Sequence, residues 1–226
     1  MFPRPIRAVV FDMDGLLLDS EVVVRQALIH AAAALNYDFP DDLFRNMVGR
    51  SYPDSRRLME AHFDDAFPFV DWEAGVRSYM AQAVICLKTG VVELLDELDR
   101  RGLPRAVATS SGRIHADRHL LEHGLMDRFQ AVVTSEDVER HKPHPDPYLK
   151  AARLLGVDPT ACLALEDSHN GVRAAHAAGM MTVMVPDLLH PTDEMKSLCV
   201  SIAESLHTVE AMVRAHSGES GRGESE

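Results

Sequence analysis

The sequence has few of the residues that hold small secreted domains together. It contains only three cysteines, Cys86, Cys162 and Cys199, in 226 residues. An odd number of widely separated cysteines gives neither a disulfide framework nor a zinc-ligand spacing, and is typical of a reducing compartment. The chain must therefore fold around an apolar core, and its length is sufficient for one.

Positive charge is also scarce. The chain carries 23 basic against 35 acidic residues, which gives a net charge of −12, and the basic residues form no stripe. Nucleic acid polymers and anionic membranes are bound by clustered Lys and Arg, so this composition disfavours both as partners. If such a protein acts on anions, a bound metal ion is a compact way to supply local positive charge.

Long apolar runs are missing as well. No stretch reaches the roughly eighteen apolar residues that a transmembrane helix needs. The apolar stretch that follows residues 1–7 is too short for the core of a signal peptide. We therefore expect a cytoplasmic protein without a membrane partner.

The sequence does contain a series of short apolar runs, each of which ends in polar residues. The runs are 6–11, 103–108, 131–133, 161–165 and 181–185. Short, continuously apolar runs are typical of strands that are buried on both faces of a parallel sheet. Helical periodicity lies between them, as in a stripe from Val91 to Leu98 and in a helix opened by Asp146 as N-cap and Pro147 as first residue. This alternation predicts an α/β fold with a Rossmann-like parallel sheet.

The first crossover is too long for a single helix. Roughly seventy residues separate the first run from the helix at Val91, whereas a crossover needs about a dozen. Two helical stripes and no strand occupy this stretch. We predict an all-helical cap domain at 20–87, inserted into an α/β catalytic core formed by 1–19 and 88–216. Residues 217–226 contain only Ser, Gly, Glu and one Arg, which predicts a disordered tail.

Chemically useful side chains follow four of the apolar runs. They are Asp12 and Asp14, then Thr109 and Ser110, then Lys142, then Glu166 and Asp167. In an open parallel sheet, ligands bind beyond the carboxyl ends of the strands, so we expect these side chains to meet there. Two carboxylates about 4 Å apart repel by roughly 4 kcal/mol at an effective dielectric near 20, so the acidic group requires a cation. Oxygen ligands alone favour Mg²⁺.

The order of these motifs resembles that of the haloacid dehalogenase superfamily. The motifs are Asp12-Met13-Asp14-Gly15, Thr109-Ser110-Ser111, Lys142-Pro143 and Leu165-Glu166-Asp167-Ser168. Residues 14–21 resemble the branch that contains beta-phosphoglucomutase and phosphatases of small sugars and nucleotides. The resemblance covers about residues 6–187 and extends to the position of the helical cap.

The resemblance implies a phosphomonoesterase that acts on a small phosphorylated metabolite. Asp12 would be the nucleophile, forming an aspartyl-phosphate and binding Mg²⁺ with its other oxygen. Asp14 would protonate the leaving oxygen and then activate water, and its backbone carbonyl would face the metal. A covalent intermediate divides the large barrier to hydrolysis of a phosphate ester, and an alkoxide leaving group requires a general acid.

The resemblance also implies roles for the remaining motif residues. Thr109 and the Ser110 backbone would bind the phosphoryl oxygens, and Lys142 would neutralise charge on the nucleophile and the phosphate. Asp167, with Glu166 directly or through water, would complete the metal site.

In this family the cap selects the substrate. The residues expected to line the shared cleft are Glu21, Arg25, Gly49, Arg50 and Tyr52. Beta-phosphoglucomutases carry a histidine where this chain has Val24, and a phosphate-binding arginine where it has Tyr52, although Arg50 could substitute. The loss of these groups favours hydrolysis, with a sugar phosphomutase as the alternative.

Two further readings concern other patterns. A receiver-type signalling module also uses an aspartate, an acidic pair, a hydroxyl and a lysine, but its acidic pair precedes the phosphorylated aspartate and it lacks a helical insertion.

His115, His119 and His123 are spaced four apart, so a helix would align them as possible metal ligands. We expect them instead to be surface or half-buried residues of a helix that covers the sheet.

Overall fold

The computed structural model describes residues 2–64 and 66–216, so the predicted tail at 217–226 lies outside the described residues. The strands are β1 (Ala8–Phe11), β2 (Arg105–Ala108), β3 (Ala131–Val133), β4 (Cys162–Glu166), β5 (Met181–Met184) and β6 (Ser201–Ile202). In this part of the chain they form one parallel sheet in the order β3-β2-β1-β4-β5-β6. The predicted α/β class is confirmed. β6 has no counterpart among the predicted runs because two residues form no apolar pattern.

The helices flank this sheet and also fill the long first crossover. They are α1 (Glu21–Ala34), α2 (Asp41–Met47), α3 (Tyr52–His62), α4 (Phe69–Met80), α5 (Val91–Arg100), α6 (Arg113–Glu122), α7 (Asp146–Leu155), α8 (His169–Ala177), α9 (Asp193–Leu198) and α10 (Leu206–His216). None of the helices found in 2–64 and 66–216 combines the length and the apolar character needed to cross a membrane.

The N-cap predicted for α7 is wrong by one residue. Pro145 holds the N-cap position, and Asp146 and Pro147 are the first residues of the helix. A proline fits the first turn because its missing N–H would have no partner there. The Asp146 carboxylate accepts a hydrogen bond from Arg140 at 3.1 Å instead of capping the helix.

β1 lies in the middle of the sheet, and its side chains build both apolar layers. Successive side chains of a strand point to opposite faces. Val9 and Phe11 accordingly join the cluster that includes residues of α5, α6 and α10, whereas Ala8 and Val10 join the cluster that includes residues of α7 and α8. All four are fully buried, and this is why the strand itself carries no polar residue.

α1 to α4 form a helical insertion between β1 and α5, with an apolar cluster of its own. Trp72 lies at its centre, where Nε1 donates to the Leu28 carbonyl at 3.2 Å. The indole ring lies parallel to Phe39, with ring centroids 6.0 Å apart. α1 and α4 approach closely because Gly75 faces Ala31, and a Cβ on that glycine would lie 3.1 Å from the Ala31 Cβ.

The second helical stripe predicted in the first crossover spans residues 72–87, and it is longer than the helix that it produces. α4 ends at Met80, and the apolar residues that follow belong to the segment that returns to the core. Val84 is 81% exposed there, whereas Leu87 pairs with Leu18 in an isolated antiparallel bridge. A mixture of exposed and bridging apolar residues can imitate a helical stripe in sequence.

The two connections to the insertion run side by side. Besides the bridge between Leu18 and Leu87, Lys88 Nζ donates to Asp19 at 3.2 Å and to Asp187 at 2.8 Å. Asp187 follows β5, so Lys88 joins both connections to the sheet. We propose that the domain boundary lies at these paired segments, with 20–87 as one domain and 1–19 with 88–216 as the other.

We predict that Trp72→Ala lowers the free energy of unfolding by about 3–5 kcal/mol, because it removes a buried aromatic side chain from the insertion's core. Urea unfolding followed by circular dichroism measures this change. Val70→Ala is the control on the same helix, since Val70 is 78% exposed. A loss for Trp72→Ala no larger than that of the control would contradict the described packing.

Candidate active site

The predicted site residues come together at the carboxyl ends of the central strands. Asp12 follows β1, Thr109 follows β2, Glu166 ends β4 and Asp167 comes directly after it. Because β1 lies between β2 and β4, these strand ends are neighbours at one sheet edge. Lys142 reaches the same place from the segment after β3. Each of these five side chains belongs to a residue that is at most 6% exposed.

Three carboxylates form a compact acidic group at this edge. Asp12, Glu166 and Asp167 each offer an oxygen, and these oxygens lie within 4.8 Å of one another. Burial raises the pKa of Asp12 to about 8; Lys142 opposes this increase and Glu166 adds to it. Burial, followed by the charges of Asp12 and Glu166, also raises the pKa of Asp167. A divalent cation would remove this penalty, because its charge favours the ionised carboxylates.

The residues present fit Mg²⁺. The donor set consists of carboxylate oxygens, which this ion prefers. Asp167 Oδ1 is buried and has no hydrogen-bond partner within the protein, so one ligand atom is free at the centre of the group. Asp12 and Asp167 would hold the ion.

Glu166 differs from the other two carboxylates because both of its oxygens have donors. Oε1 accepts from Lys142 Nζ and from the Tyr148 hydroxyl, each at 2.5 Å. Oε2 accepts from the Ser168 hydroxyl at 3.0 Å. Glu166 therefore orients its neighbours, and a contact with the ion would compete with these hydrogen bonds.

Lys142 is the cation of this buried group. Its Nζ donates to Asp12 as well as to Glu166, and its side chain is 1% exposed. Burial alone would lower the pKa of Lys142, but the charges of Asp12 and Glu166 outweigh it and raise the pKa above the usual value. The ammonium stays protonated, and it supplies the local positive charge that an anionic substrate needs in an acidic protein.

Asp14 is held by hydroxyl groups and an imidazole. The Ser20 hydroxyl donates to Oδ1 at 2.9 Å, and the Ser111 and Thr109 hydroxyls donate to Oδ2 at 2.7 Å and 3.4 Å. His115 Nε2 lies 3.6 Å from Oδ1. Burial raises the pKa of Asp14, but the contacts with His115, Ser111 and Ser20 outweigh it and lower the pKa to about 2. Asp14 is thus a carboxylate in this arrangement.

Four residues of the site carry no role in the sequence-based assignment. Ser20 and Ser111 lie inside the recognised motifs, so their position next to Asp14 could have been inferred from the motifs. Tyr148 belongs to the apolar stripe of α7, and nothing in the pattern indicates that its hydroxyl reaches Glu166. His115 lies in the first turn of α6, and its contact with Asp14 depends on how that helix lies against the sheet edge, for which the sequence pattern gives no signal.

The three histidines on and after α6 do not gather around a metal. The His115 and His119 rings are 4.4 Å apart. The expectation of a surface or half-buried residue is wrong for His119, which is 5% exposed. His123 is the C-cap residue of the helix. Among the described residues, these histidines do not appear as a potential metal-ligand group, whereas Asp12, Glu166 and Asp167 do.

Two of the predicted cleft residues on the insertion reach the catalytic edge of the core. The Gly49 carbonyl accepts from the Ser110 hydroxyl at 3.2 Å, and a Cβ on Gly49 would overlap the Ser168 side chain. With φ at +74°, Gly49 also has a backbone conformation that favours glycine. Glu21 is 8% exposed; burial and the charges of Asp14, Asp187 and Asp12 raise its pKa to about 8.

The other three predicted cleft residues are engaged within the insertion. Arg25 pairs with Asp41 at 2.7 Å, and Arg50 Nε donates to the Asn46 carbonyl at 2.7 Å. Tyr52 is 59% exposed and its hydroxyl donates to Glu73. These contacts direct none of the three towards the acidic group.

Comparison with known proteins agrees with this geometry. A family model described as haloacid dehalogenase-like hydrolase matches residues 6–179. Hexitol phosphatase B of Escherichia coli (strain K12) is 35% identical over 196 residues, which cover 81% of this chain and 85% of that protein. Protein CbbY of Rhodobacter capsulatus is 31% identical, with 80% of this chain and 86% of that protein covered.

A solved structure gives the same result. The crystal structure of CbbY from Rhodobacter sphaeroides in complex with phosphate has a TM-score of 0.74 and 27% identity, and covers 89% of this chain and 95% of that one. The resemblance predicted from the motifs is confirmed, as is the assignment to a hydrolytic enzyme. This chain belongs to the haloacid dehalogenase-like hydrolases.

Proposed function

We propose that this chain is a magnesium-dependent phosphomonoesterase, which cleaves a small phosphorylated metabolite through an aspartyl-phosphate on Asp12. The observation that carries the proposal is the buried contact of Asp12 with Lys142 at the edge of an acidic group that fits Mg²⁺. The family and the phosphatase names of relatives such as hexitol phosphatase B support the same class of reaction.

In the proposed reaction, Asp12 is the nucleophile. One of its carboxylate oxygens attacks phosphorus, the bond from phosphorus to the substrate oxygen breaks, and the alcohol leaves. Water then attacks the phosphorus of the aspartyl-phosphate, which releases inorganic phosphate and restores the carboxylate. When bound, Mg²⁺ would offset negative charge on the transferring phosphoryl group.

Asp14 would act first as acid and then as base. Its low pKa keeps Asp14 ionised, which is the form that the second step needs to accept a proton from water. The first step needs the protonated form. A substrate phosphate beside Asp14 would raise its pKa, because a neighbouring negative charge disfavours ionisation.

Lys142, Thr109 and Ser110 would bind the phosphoryl oxygens. Lys142 is fixed by Glu166, so its charge is oriented before the substrate arrives. The Ser110 hydroxyl donates to the Gly49 carbonyl, and the Ser110 backbone N–H would bind phosphate, as the motif implies.

The helical insertion would act as the cap that encloses the substrate. The contact of the Gly49 loop with Ser110 and Ser168 supports a closed arrangement, and Glu21 would face a hydroxyl of the substrate.

Tyr52 lies where a mutase needs a phosphate-binding arginine, and its hydroxyl bonds to Glu73. This arrangement supports hydrolysis over sugar phosphomutation. The family assignment also leaves no support for a receiver-type module.

We predict that Asp12→Asn abolishes turnover, with a loss of at least about 10³-fold, because the amide cannot form the phospho-intermediate. Phosphate release measures the effect. Asp71→Asn is the matched control, since Asp71 is exposed on α4 and distant in sequence from the motifs. Near-normal activity of Asp12→Asn would remove the nucleophile assignment.

We predict that chelation with EDTA stops turnover and that added Mg²⁺ restores it. Mg²⁺ should also raise the thermal unfolding midpoint, because an ion that binds only the folded state at 100 times its Kd adds about 2.7 kcal/mol of stability. Asp167→Asn should weaken both effects. Full turnover in EDTA, or an unchanged midpoint with Mg²⁺, would contradict the metal assignment.

We expect the substrate to be a monophosphate of a small hydroxylated compound. A phosphate-release panel with Mg²⁺, containing hexitol, sugar, nucleotide and polyol monophosphates, should reveal at least one good substrate. Conversion of glucose 1-phosphate into glucose 6-phosphate without release of phosphate would support the mutase instead.

A further inference from the structure

We propose that His115 is a positioning residue that sets the orientation of the Asp14 carboxylate for proton transfer. The inference deepens the proposed phosphatase function and rests on it. None of the four motifs contains His115, and its place beside Asp14 is visible only in the folded chain.

The contacts of Asp14 show what an imidazole adds. Ser20, Ser111 and Thr109 hold the carboxylate through hydroxyl groups, which can donate or accept and can rotate as the protonation state changes. His115 Nε2 lies 3.6 Å from Oδ1, the oxygen that Ser20 also contacts. In a given tautomer the imidazole Nε2 either donates or accepts, so, unlike a hydroxyl, it cannot reverse its role by rotation and its contact favours one orientation of the carboxylate.

The imidazole of His115 stands on a rigid support. Ala116 and Leu120 anchor α6 in the main apolar cluster, and both are fully buried. The His115 ring meets the ring of buried His119 edge-on, with centroids 4.4 Å apart. The helix and the second ring together fix His115 relative to the end of β1.

The exposure of His115 argues against a purely packing role. Its side chain is 37% exposed, whereas His119 one turn later is 6% exposed. A histidine that served the core would be buried like His119. His115 instead lies at the rim of the site, with its ring nitrogen towards the carboxylate that must deliver a proton.

Orientation matters because proton transfer to a leaving oxygen is directional. General acid catalysis contributes about 10²–10⁴-fold, and part of this is lost when the acid is misaligned. The loss should depend on the leaving group. An alkoxide needs the proton, whereas p-nitrophenolate leaves without one.

The test compares kcat/KM for p-nitrophenyl phosphate and for the best substrate of the phosphate-release panel, whose leaving group is an alkoxide, since this ratio covers the steps up to departure of the leaving group. We expect His115→Leu and His115→Asn to lower kcat/KM for the panel substrate by about 10–100-fold, but for p-nitrophenyl phosphate by less than about threefold. His115→Gln places an amide nitrogen near the position of Nε2 and should stay within about fivefold of the wild type on both substrates.

The Asn and Gln variants form a matched pair that differs by one methylene, so the comparison stands even if His115→Leu does not fold. His123→Gln is the control at the opposite end of the same helix, and thermal unfolding midpoints are measured for every variant. Equal losses on both substrates, or His115→Gln as impaired as His115→Asn, would overturn the positioning role. A wild-type protein that hydrolyses neither p-nitrophenyl phosphate nor any monophosphate of the panel would instead contradict the proposed function.

Discussion

The burial of three carboxylates beside a single ammonium is the constraint on which the site depends. Asp12, Glu166 and Asp167 lie within 4.8 Å of one another, and Lys142 is the cation that contacts two of them. One positive charge cannot offset three negative ones in a region sheltered from water. The three carboxylates can all be ionised together only if further positive charge is available, and this supports the proposed binding of a metal ion. Glu166, whose oxygens are fully occupied, gives this group its fixed geometry.

The backbone makes room for these charges at two glycines. A Cβ on Gly15 would overlap the Asp167 carboxylate, and a Cβ on Gly171 would overlap that of Glu166. Gly15 also has φ at +84°, in the left-handed region that favours glycine. The turn after β1 and the first turn of α8 thus approach the acidic residues more closely than any other residue type allows. The spacing of the carboxylates is therefore a property of the backbone as well as of the side chains.

Much of the core could be predicted from sequence because its strands are buried on both faces. Segments such as 8–11 and 161–165 have no charged residue that would suggest another structure, and the chemistry begins where the segment ends. α2 and α3 are short and largely polar, so they leave no comparable signal. The contact between His115 and Asp14 depends on how α6 lies against the sheet edge, which no periodicity records. The hydroxyl of Tyr148 is hidden for a related reason, since an aromatic residue in an apolar stripe indicates packing alone.

The pairing of Leu18 with Leu87 has a mechanical consequence. Two chain segments that enter and leave a body at one place, and that bond to each other there, behave as a hinge with one axis. Sliding of the insertion across the sheet would shear the pair, and twisting would break the contacts of Lys88 with Asp19 and Asp187. Swinging about the pair is the displacement that preserves them. Such a displacement would separate the Gly49 loop from Ser110 and Ser168 and so open the entry to the cleft there.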